Sequence, residues 1–228
     1  MSRSFVDRFS MCGFVGEIDD PSYLRSIFDC IKLSTVLDFS DALLREPGSL
    51  HRFVELGFFN KDPTVDQVKK LVSRFLFQLK PSLVESVEPI LSQFEGRSVI
   101  GLQLRTGGKL ANYKEDTTFI TLNDMERVCG VIDDCMSRRG FHDPHLFLST
   151  DSNQVVELFR NGTYPLLVSD QFTIGHSSRA RKGSSESIYR AVTDLLLLSK
   201  CDALITTKGS SFGDQASILS DVAVKIVL

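Results

Sequence analysis

The sequence predicts an open, parallel α/β sheet in residues 98–228, preceded by a mainly helical region in residues 1–97. Two observations favour this organisation. From Ser98 onward, short apolar runs alternate with helical patterns, as in a parallel sheet that is covered on both faces. Before Ser98, apolar residues recur at helical spacing instead. We therefore expect two domains, with the boundary between Arg97 and Ser98.

The composition is that of an ordinary soluble globular protein. The 228 residues are 42% hydrophobic and 24% charged, enough to bury a sizeable core. Lys and Arg number 26 against 29 Asp and Glu, which gives a net charge of -3. Nothing in this balance attracts nucleic acid or anionic lipid, so neither is an expected partner. The five scattered cysteines form no C-x-x-C pair, so we expect buried free thiols.

The sequence shows neither a membrane span nor a signal peptide. Its longest unbroken apolar runs are far below the roughly 18 to 20 residues that a bilayer requires. The start, Met1 to Asp7, also lacks the apolar stretch of a signal peptide. We therefore expect a soluble, unsecreted chain.

The helical region begins the chain. Its clearest segment shows a helical apolar stripe after the start signal Asp62-Pro63. Pro81 opens the next segment, in a first helical turn where its missing N–H is harmless. We expect Phe58 and Phe59 to belong to the core; an interface is the alternative. The predicted helices are Tyr23 to Leu33, Val36 to Leu44, Pro63 to Leu79 and Pro81 to Phe94.

The second region alternates strands with helices. Such a series winds into an open sheet whose ligands lie at the carboxyl ends of the strands. The predicted strands are Ser98 to Arg105, His145 to Thr150, Pro165 to Ser169, Ala203 to Thr207 and Val222 to Val227. The predicted helices are Leu122 to Arg138, Asn153 to Arg160, Ser185 to Ser199 and Phe212 to Leu219.

Two of the strand ends carry charged residues. Arg105 ends the first strand, and the glycines after Thr106 would let the backbone approach a ligand. A guanidinium binds phosphate through two donors, so Arg105 is a candidate phosphate ligand; an exposed arginine in a surface turn is the alternative. Asp151 follows the second strand, and capping of the helix from Asn153 is its favoured role.

A polar loop follows the third strand. Its cations could hold a diphosphate, although a solvated charge run is the usual explanation of such a cluster. The charged and titratable residues of this loop are His176, Arg179, Arg181 and Lys182.

The last two helices add a carboxylate and a pair of hydroxyls. Asp194 lies within an otherwise apolar run, where a buried carboxylate is costly without a donor from the backbone, a ribose or an arginine. Ser210 and Ser211 open the final helix, and hydroxyls with free N–H groups at a helix N-terminus form an anion site.

In order, these segments resemble the C-terminal half of the α1,6-, α1,2- and protein O-fucosyltransferases. Four short motifs carry the resemblance over about 115 residues. They are Ile100-Gly-Leu-Gln-Leu-Arg105-Thr106, Leu148-Ser-Thr-Asp-Ser152, Ile188-Tyr-Arg-Ala-Val-Thr-Asp194 and Ala203-Leu-Ile-Thr-Thr-Lys-Gly-Ser-Ser211-Phe-Gly213.

The resemblance implies a two-lobed GT-B architecture. Residues 98–228 would form its Rossmann-like, nucleotide-sugar-binding lobe, and residues 1–97 the end of the acceptor lobe. The donor would be GDP-fucose, the acceptor a hydroxyl of a glycan or glycoprotein, and the transfer inverting, with no metal cofactor. Family members commonly work in the secretory pathway, which would be the compartment of a longer form of this chain.

The resemblance also implies roles for single residues. Arg105 would be catalytic, because it would contact the β-phosphate and assist the departure of GDP. Asp194 would contact the guanine or ribose side, and Gln103, where several members have His, would face the nucleotide with a neutral amide. The implied nucleotide-sugar-binding residues are Gln103, Arg105, Thr106, Asp151, His176, Asp194, Ser210 and Ser211.

Two departures from the family pattern leave a second hypothesis open. Many members have a second Arg or an Asp after the first arginine, where this chain has Thr106-Gly107-Gly108. The first 97 residues are also too short for a complete acceptor lobe. The alternative is therefore a non-catalytic nucleotide-sugar-binding or protein-interaction module.

The sequence identifies no clear general base for a transferase. Asp151, Asp170 and Glu186 are the candidates that it offers. A different Rossmann-like enzyme is a third hypothesis, but the chain contains neither G-x-G-x-x-G nor a Walker motif.

Overall fold

The computed structural model describes residues 50–55, 57–76, 81–108, 110–111, 117–171, 174, 186–220 and 225–228. The chain falls into two compact units, Met1–Ser82 and Leu83–Leu228. The helices predicted at 23–33 and 36–44 lie outside the described residues, as do His176 and the cations of its loop. The domain boundary at Arg97 and Ser98 stays a prediction.

The described part of the first unit is helical. Helix α1 spans His51–Glu55, α2 spans Val65–Leu76, and α3 spans Pro81–Leu91 and so begins at the end of this unit. A reciprocal cap starts α2, since the Gln67 N–H donates to the Thr64 hydroxyl (3.2 Å) and the Thr64 N–H to the Gln67 side chain (2.8 Å). The prediction that Phe58 belongs to the core is wrong, because this side chain is 57% exposed.

The second unit contains a five-stranded, fully parallel sheet in the order β3-β2-β1-β4-β5. The predicted open parallel α/β sheet is therefore confirmed. Its strands are β1 Val99–Leu104, β2 His145–Thr150, β3 Leu166–Leu167, β4 Ala203–Thr206 and β5 Lys225–Val227. Its helices, after α3, are α4 Met125–Arg139, α5 Asn153–Arg160, α6 Glu186–Leu198 and α7 Ser211–Leu219.

One face of the sheet is apolar where α4 and α5 cover it, apart from Thr150 at the carboxyl end of β2. Side chains alternate along a strand, so the paired residues Ile100 and Leu146, and likewise Leu102 and Leu148, lie on the same face. They belong to one buried cluster that also contains Met125, Val128, Ile132 and Cys135 of α4 and Val155, Val156 and Phe159 of α5.

The opposite face becomes polar toward the carboxyl ends of the strands. Helix α6 packs on β1 and β2, and α7 packs on β4 and α6. A Cβ on Gly101 would lie 2.7 Å from Leu204 Cδ2 and 2.9 Å from Cys201 Sγ, so the chain after α6 approaches β1 too closely for a side chain. Beyond Gly101, Gln103 pairs in register with Ser149 on one side and Thr206 on the other.

Several predicted element boundaries differ from the structure. Leu122, assigned to the first helix of this region, lies in a 3-10 turn before α4 and is 48% exposed. The third predicted strand is reduced to Leu166–Leu167. Cys135 and Cys201 are buried thiols as expected, whereas Cys129 is half-buried. None of the helices in the described part of the chain is long and apolar enough to cross a membrane.

Candidate functional site

The strand order places a crevice where the chain changes direction. From β1 the chain adds β2 and β3 on one side and then returns to add β4 and β5 on the other. Ligands of open α/β sheets bind at the carboxyl ends of the strands beside such a switch. A cavity of about 310 Å³ lies there, and the predicted site residues that line it are Gln103, Arg105, Asp151, Asp194, Ser210 and Ser211.

The loop after β1 turns sharply on two glycines. Gly107 and Gly108 have φ angles of 61° and 55°, in the left-handed region that disfavours other residues. A Cβ on Gly108 would overlap the Thr118 hydroxyl. The Phe119 N–H donates to the Thr106 carbonyl at 2.9 Å and closes the loop. The structure therefore gives these glycines a backbone role, where the sequence suggested room for a ligand.

Asp151 holds this loop from the end of β2. Its Oδ1 accepts hydrogen bonds from the Thr106 N–H (2.8 Å) and hydroxyl (2.7 Å), and its Oδ2 accepts one from the Gly107 N–H (3.1 Å). The capping role predicted for Asp151 is wrong, because Ser152 caps α5 by accepting from the Val155 N–H at 3.5 Å.

Arg105 is fixed by neighbours from three parts of the chain. Its Nε lies 3.4 Å from Asp151 Oδ2, and its guanidinium carbon lies 5.7 Å from the centre of the Phe119 ring. Its backbone N–H donates to the Thr207 hydroxyl at 3.0 Å, and that hydroxyl donates to the Gln103 carbonyl at 3.1 Å. The Arg105 side chain is 22% exposed, so it reaches the crevice with its base held in place.

Asp194 belongs to a buried polar cluster on α6. The Ser149 hydroxyl of β2 donates to Asp194 Oδ2 at 2.8 Å, and Arg190 Nε, one helical turn earlier, lies 3.7 Å from the same oxygen. Asp194 was expected to meet such a donor, and it does. Oδ1 is buried without a hydrogen bond of good geometry, although the Ser169 hydroxyl lies close enough to stabilise the charge.

Burial raises the pKa of Asp194 above its ordinary value of 3.8, because removal from water disfavours the charged form. Arg190 and the hydroxyls of Ser169 and Ser149 oppose this shift. The carboxylate is 3% exposed, so its charge depends on these neighbours rather than on solvent.

The first turn of α7 forms another wall of the crevice. Ser210 caps the helix by accepting from the Gly213 N–H at 3.5 Å, and Ser211 begins it. A Cβ on Gly213 would lie 2.8 Å from both Gln103 Oε1 and Thr206 Cβ, so only glycine lets the helix start this close to the sheet. The positive end of the helix dipole therefore lies at the crevice, where it favours an anion.

Not every candidate residue reaches the crevice. Thr106 is fully buried, and both of its donors are used by Asp151. Asp170 is exposed and accepts from Arg160 at 2.6 Å, apart from the residues that line the crevice. The side chain of Glu186 lies outside the described part.

The sequence did not single out several residues of the site, among them Ser149, Phe119, Arg190 and Thr207. The first three line the crevice, and Thr207 holds Arg105. A signal existed for Arg190, which lies four residues before Asp194 and hence on the same helix face. Within the described ranges, no three His, Cys, Asp or Glu side chains come together as a metal site.

The chain matches the model of one protein family over residues 71–228, that of Nodulation protein Z (NodZ). No curated protein matches it significantly. Among solved structures, NodZ α1,6-fucosyltransferase soaked with GDP-fucose shares 19% identity at a TM-score of 0.45, covering 66% of this chain and 47% of that one. POFUT1 in complex with GDP shares 11% identity at a TM-score of 0.48, covering 81% and 60% respectively. The chain thus spans about half the length of the NodZ structure.

Proposed function

The chain belongs to the NodZ family, and on this basis we propose that it is a fucosyltransferase whose crevice binds GDP-fucose. Transfer would invert the sugar carbon and deliver fucose to a hydroxyl of a glycan or glycoprotein. Residues 98–228 would be the Rossmann-like lobe of a GT-B enzyme that binds the donor, and residues 1–97 the end of the acceptor lobe. No metal would be required, and a longer form would work in the secretory pathway.

The observation that carries this proposal is the position of Arg105. Negative charge develops on GDP as the bond to fucose breaks, and a fixed cation stabilises that charge without reorganising during the reaction. Arg105 lines the crevice while Asp151, Thr207 and Phe119 hold it. The start of α7 lies at the same crevice and would add backbone N–H groups for the diphosphate.

The cluster on α6 would bind the guanine or ribose side of the donor. Asp194 Oδ1 is a buried acceptor without a well-formed hydrogen bond, so a donor group of the ligand would satisfy it. Gln103 would face the nucleotide from the floor of the crevice, where its Oε1 accepts from the Thr207 N–H at 3.4 Å.

Calorimetric titration of the purified chain with GDP, GDP-fucose, UDP and NAD tests the proposal. We expect selective binding of GDP and GDP-fucose. Arg105→Ala should abolish transfer and strongly weaken donor binding while the protein stays folded, because Asp151 keeps its hydrogen bonds to Thr106 and Gly107. Arg138→Ala is the matched control, since Arg138 is 75% exposed and paired with Asp134 on α4. Full turnover by Arg105→Ala would refute the mechanism.

One observation favours the alternative of a non-catalytic nucleotide-sugar-binding module. Among the described residues that line the crevice, the carboxylates are Asp151 and Asp194, and both accept hydrogen bonds within the protein. A general base must instead be available to the acceptor hydroxyl. Release of GDP from GDP-fucose, measured with a panel of glycan and glycoprotein acceptors, separates the two functions. Tight donor binding with no release on any acceptor would support the binding module.

A further inference from the structure

We propose that Asp151 is a positioning residue that acts through Arg105, and that it neither contacts the donor nor serves as the general base. The inference rests on the proposed function, because it assumes that Arg105 binds the diphosphate. It assigns one role to a carboxylate for which the sequence left three open: helix cap, donor ligand and base.

Both oxygens of Asp151 are engaged by the segment that follows β1. Oδ1 accepts two hydrogen bonds from Thr106, and Oδ2 accepts one from Gly107 and lies 3.4 Å from Arg105 Nε. A carboxylate offers about four lone-pair sites. These four contacts therefore occupy the positions from which Asp151 could accept a proton from an acceptor hydroxyl or a hydrogen bond from a sugar.

The segment that Asp151 holds contains two consecutive glycines, so it is costly to order. Gly107 and Gly108 follow directly after Thr106, and glycine loses more conformational freedom on ordering than any other residue. The carboxylate bridges this turn to the end of β2, and it meets Arg105 at the Nε side of the guanidinium. Together with the ring of Phe119, it fixes the direction in which the guanidinium enters the crevice.

The charge of Asp151 makes the inference testable by the sign of the effect. A carboxylate with a side chain only 7% exposed repels a diphosphate bound at Arg105, so by charge alone its removal would tighten binding. If Asp151 positions Arg105, its neutralisation should instead weaken binding of the diphosphate. The direction of the change in affinity on neutralising Asp151 therefore separates the two effects.

A double-mutant cycle on GDP affinity tests this role, with Arg105→Met, Asp151→Asn and the double variant. The Asn oxygen can keep the contacts of Oδ1 with Thr106, but its NH2 group would face the Gly107 N–H and Arg105 Nε, donor against donor. We expect Asp151→Asn to weaken GDP binding by roughly 10-fold to 100-fold, the scale of one lost hydrogen bond to a charged group. In the Arg105→Met background it should cause no further loss.

The surface pair Arg138 and Asp134 on α4 provides the control cycle, and Arg138→Met and Asp134→Asn should leave GDP affinity unchanged. Should Asp151→Asn not fold, Thr106→Val removes the 2.7 Å contact and leaves the ion pair, with a smaller loss that also vanishes in Arg105→Met.

Unchanged or tighter GDP binding by Asp151→Asn would overturn the inference, and so would losses that multiply in the double variant. If the wild-type chain itself does not bind GDP, the proposed function fails and takes this inference with it. Wild-type binding with multiplying losses would overturn the role of Asp151 alone.

Discussion

The two faces of the sheet differ although they belong to the same strands. On the face covered by α4 and α5, the buried side chains are apolar along β1 and along β2 as far as Leu148, and the polar Thr150 follows only at the end of β2. On the face covered by α6 and α7, Gly101, Phe147 and Leu204 give way to Gln103, Ser149 and Thr206 at the next inward positions. The change occurs within one pleat repeat, at the edge where the crevice opens.

Because of this difference, we expect the apolar face to contribute mainly to the stability of the fold and the polar face mainly to ligand binding. An apolar face gains free energy from every side chain that it removes from water. Buried polar groups that are hydrogen-bonded to one another add little net stability to the fold. Removal of one partner is nevertheless costly, because it leaves the other group buried without a hydrogen bond. We therefore expect substitutions on the α4 side to change stability and leave the crevice intact, and substitutions on the α6 and α7 side to change both.

The largest expected effect on stability is on the apolar face. Ile132 of α4 is fully buried in the cluster, so Ile132→Ala should lower the free energy of unfolding by about 2 to 5 kcal/mol. Urea denaturation measures this loss. GDP affinity of the folded variant, titrated well below the midpoint, should match the wild type; a large loss of affinity would break the distinction between the faces.

A smaller effect is expected where α7 starts against the polar face. Gly213→Ala places a methyl group 2.8 Å from Thr206 Cβ, and such overpacking costs about 1 to 3 kcal/mol. Gly130→Ala on α4 is the matched control, because its methyl group meets nothing within 4 Å and should stabilise the helix by about 0.5 to 1 kcal/mol. Thermal unfolding of both variants checks the opposite signs. Equal shifts would show that α7 does not approach the sheet as closely as described.

The smallest effect is the pH dependence that comes from Asp194. Its pKa is raised in the folded chain, so between 3.8 and that raised pKa the folded state binds more protons than the unfolded state. The free energy of unfolding therefore falls as pH rises through this window, by at most about 1.4 kcal/mol per pH unit. Asp194→Asn should remove this contribution.

Urea denaturation of the wild type and Asp194→Asn between pH 4 and pH 8 measures the difference as a function of pH. Asp134→Asn serves as the control for loss of an exposed carboxylate, since Asp134 is 48% exposed. A difference that grows in favour of the wild type as pH rises would mean that its neighbours lower the pKa of Asp194 instead.

Local patterns were enough to predict most elements of the sheet domain. Helix α5 has the predicted bounds, Asn153–Arg160, and α6, described from Glu186, ends at Leu198, one residue before the predicted end. These segments show a clear apolar periodicity, which is a property of neighbouring residues. The predicted bounds were wrong at Leu122 and along the third strand. At both places apolar residues lie next to the helix or strand without belonging to it.

The sequence also predicted several side chains of the candidate site, but not the contacts that each one makes. The residue type and position of Asp151 predict a helix cap, since Asp is among the best capping residues and a helix begins two residues later. The tertiary fold instead places Thr106 within hydrogen-bond distance of Asp151, and Ser152 caps the helix. The sequence places Arg190 on the same helix face as Asp194, but its location at the crevice follows from how α6 lies on β1 and β2.

By itself, the sequence determined the α/β alternation, the parallel sheet and the family motifs, because periodicity and short motifs are encoded within a few residues of one another. Only the tertiary structure decided which polar groups meet. Asp151 and Thr106 are 45 residues apart in the chain, and Arg105 and Thr207 are 102 apart. Contacts over such separations depend on strand order and register, which no local pattern specifies.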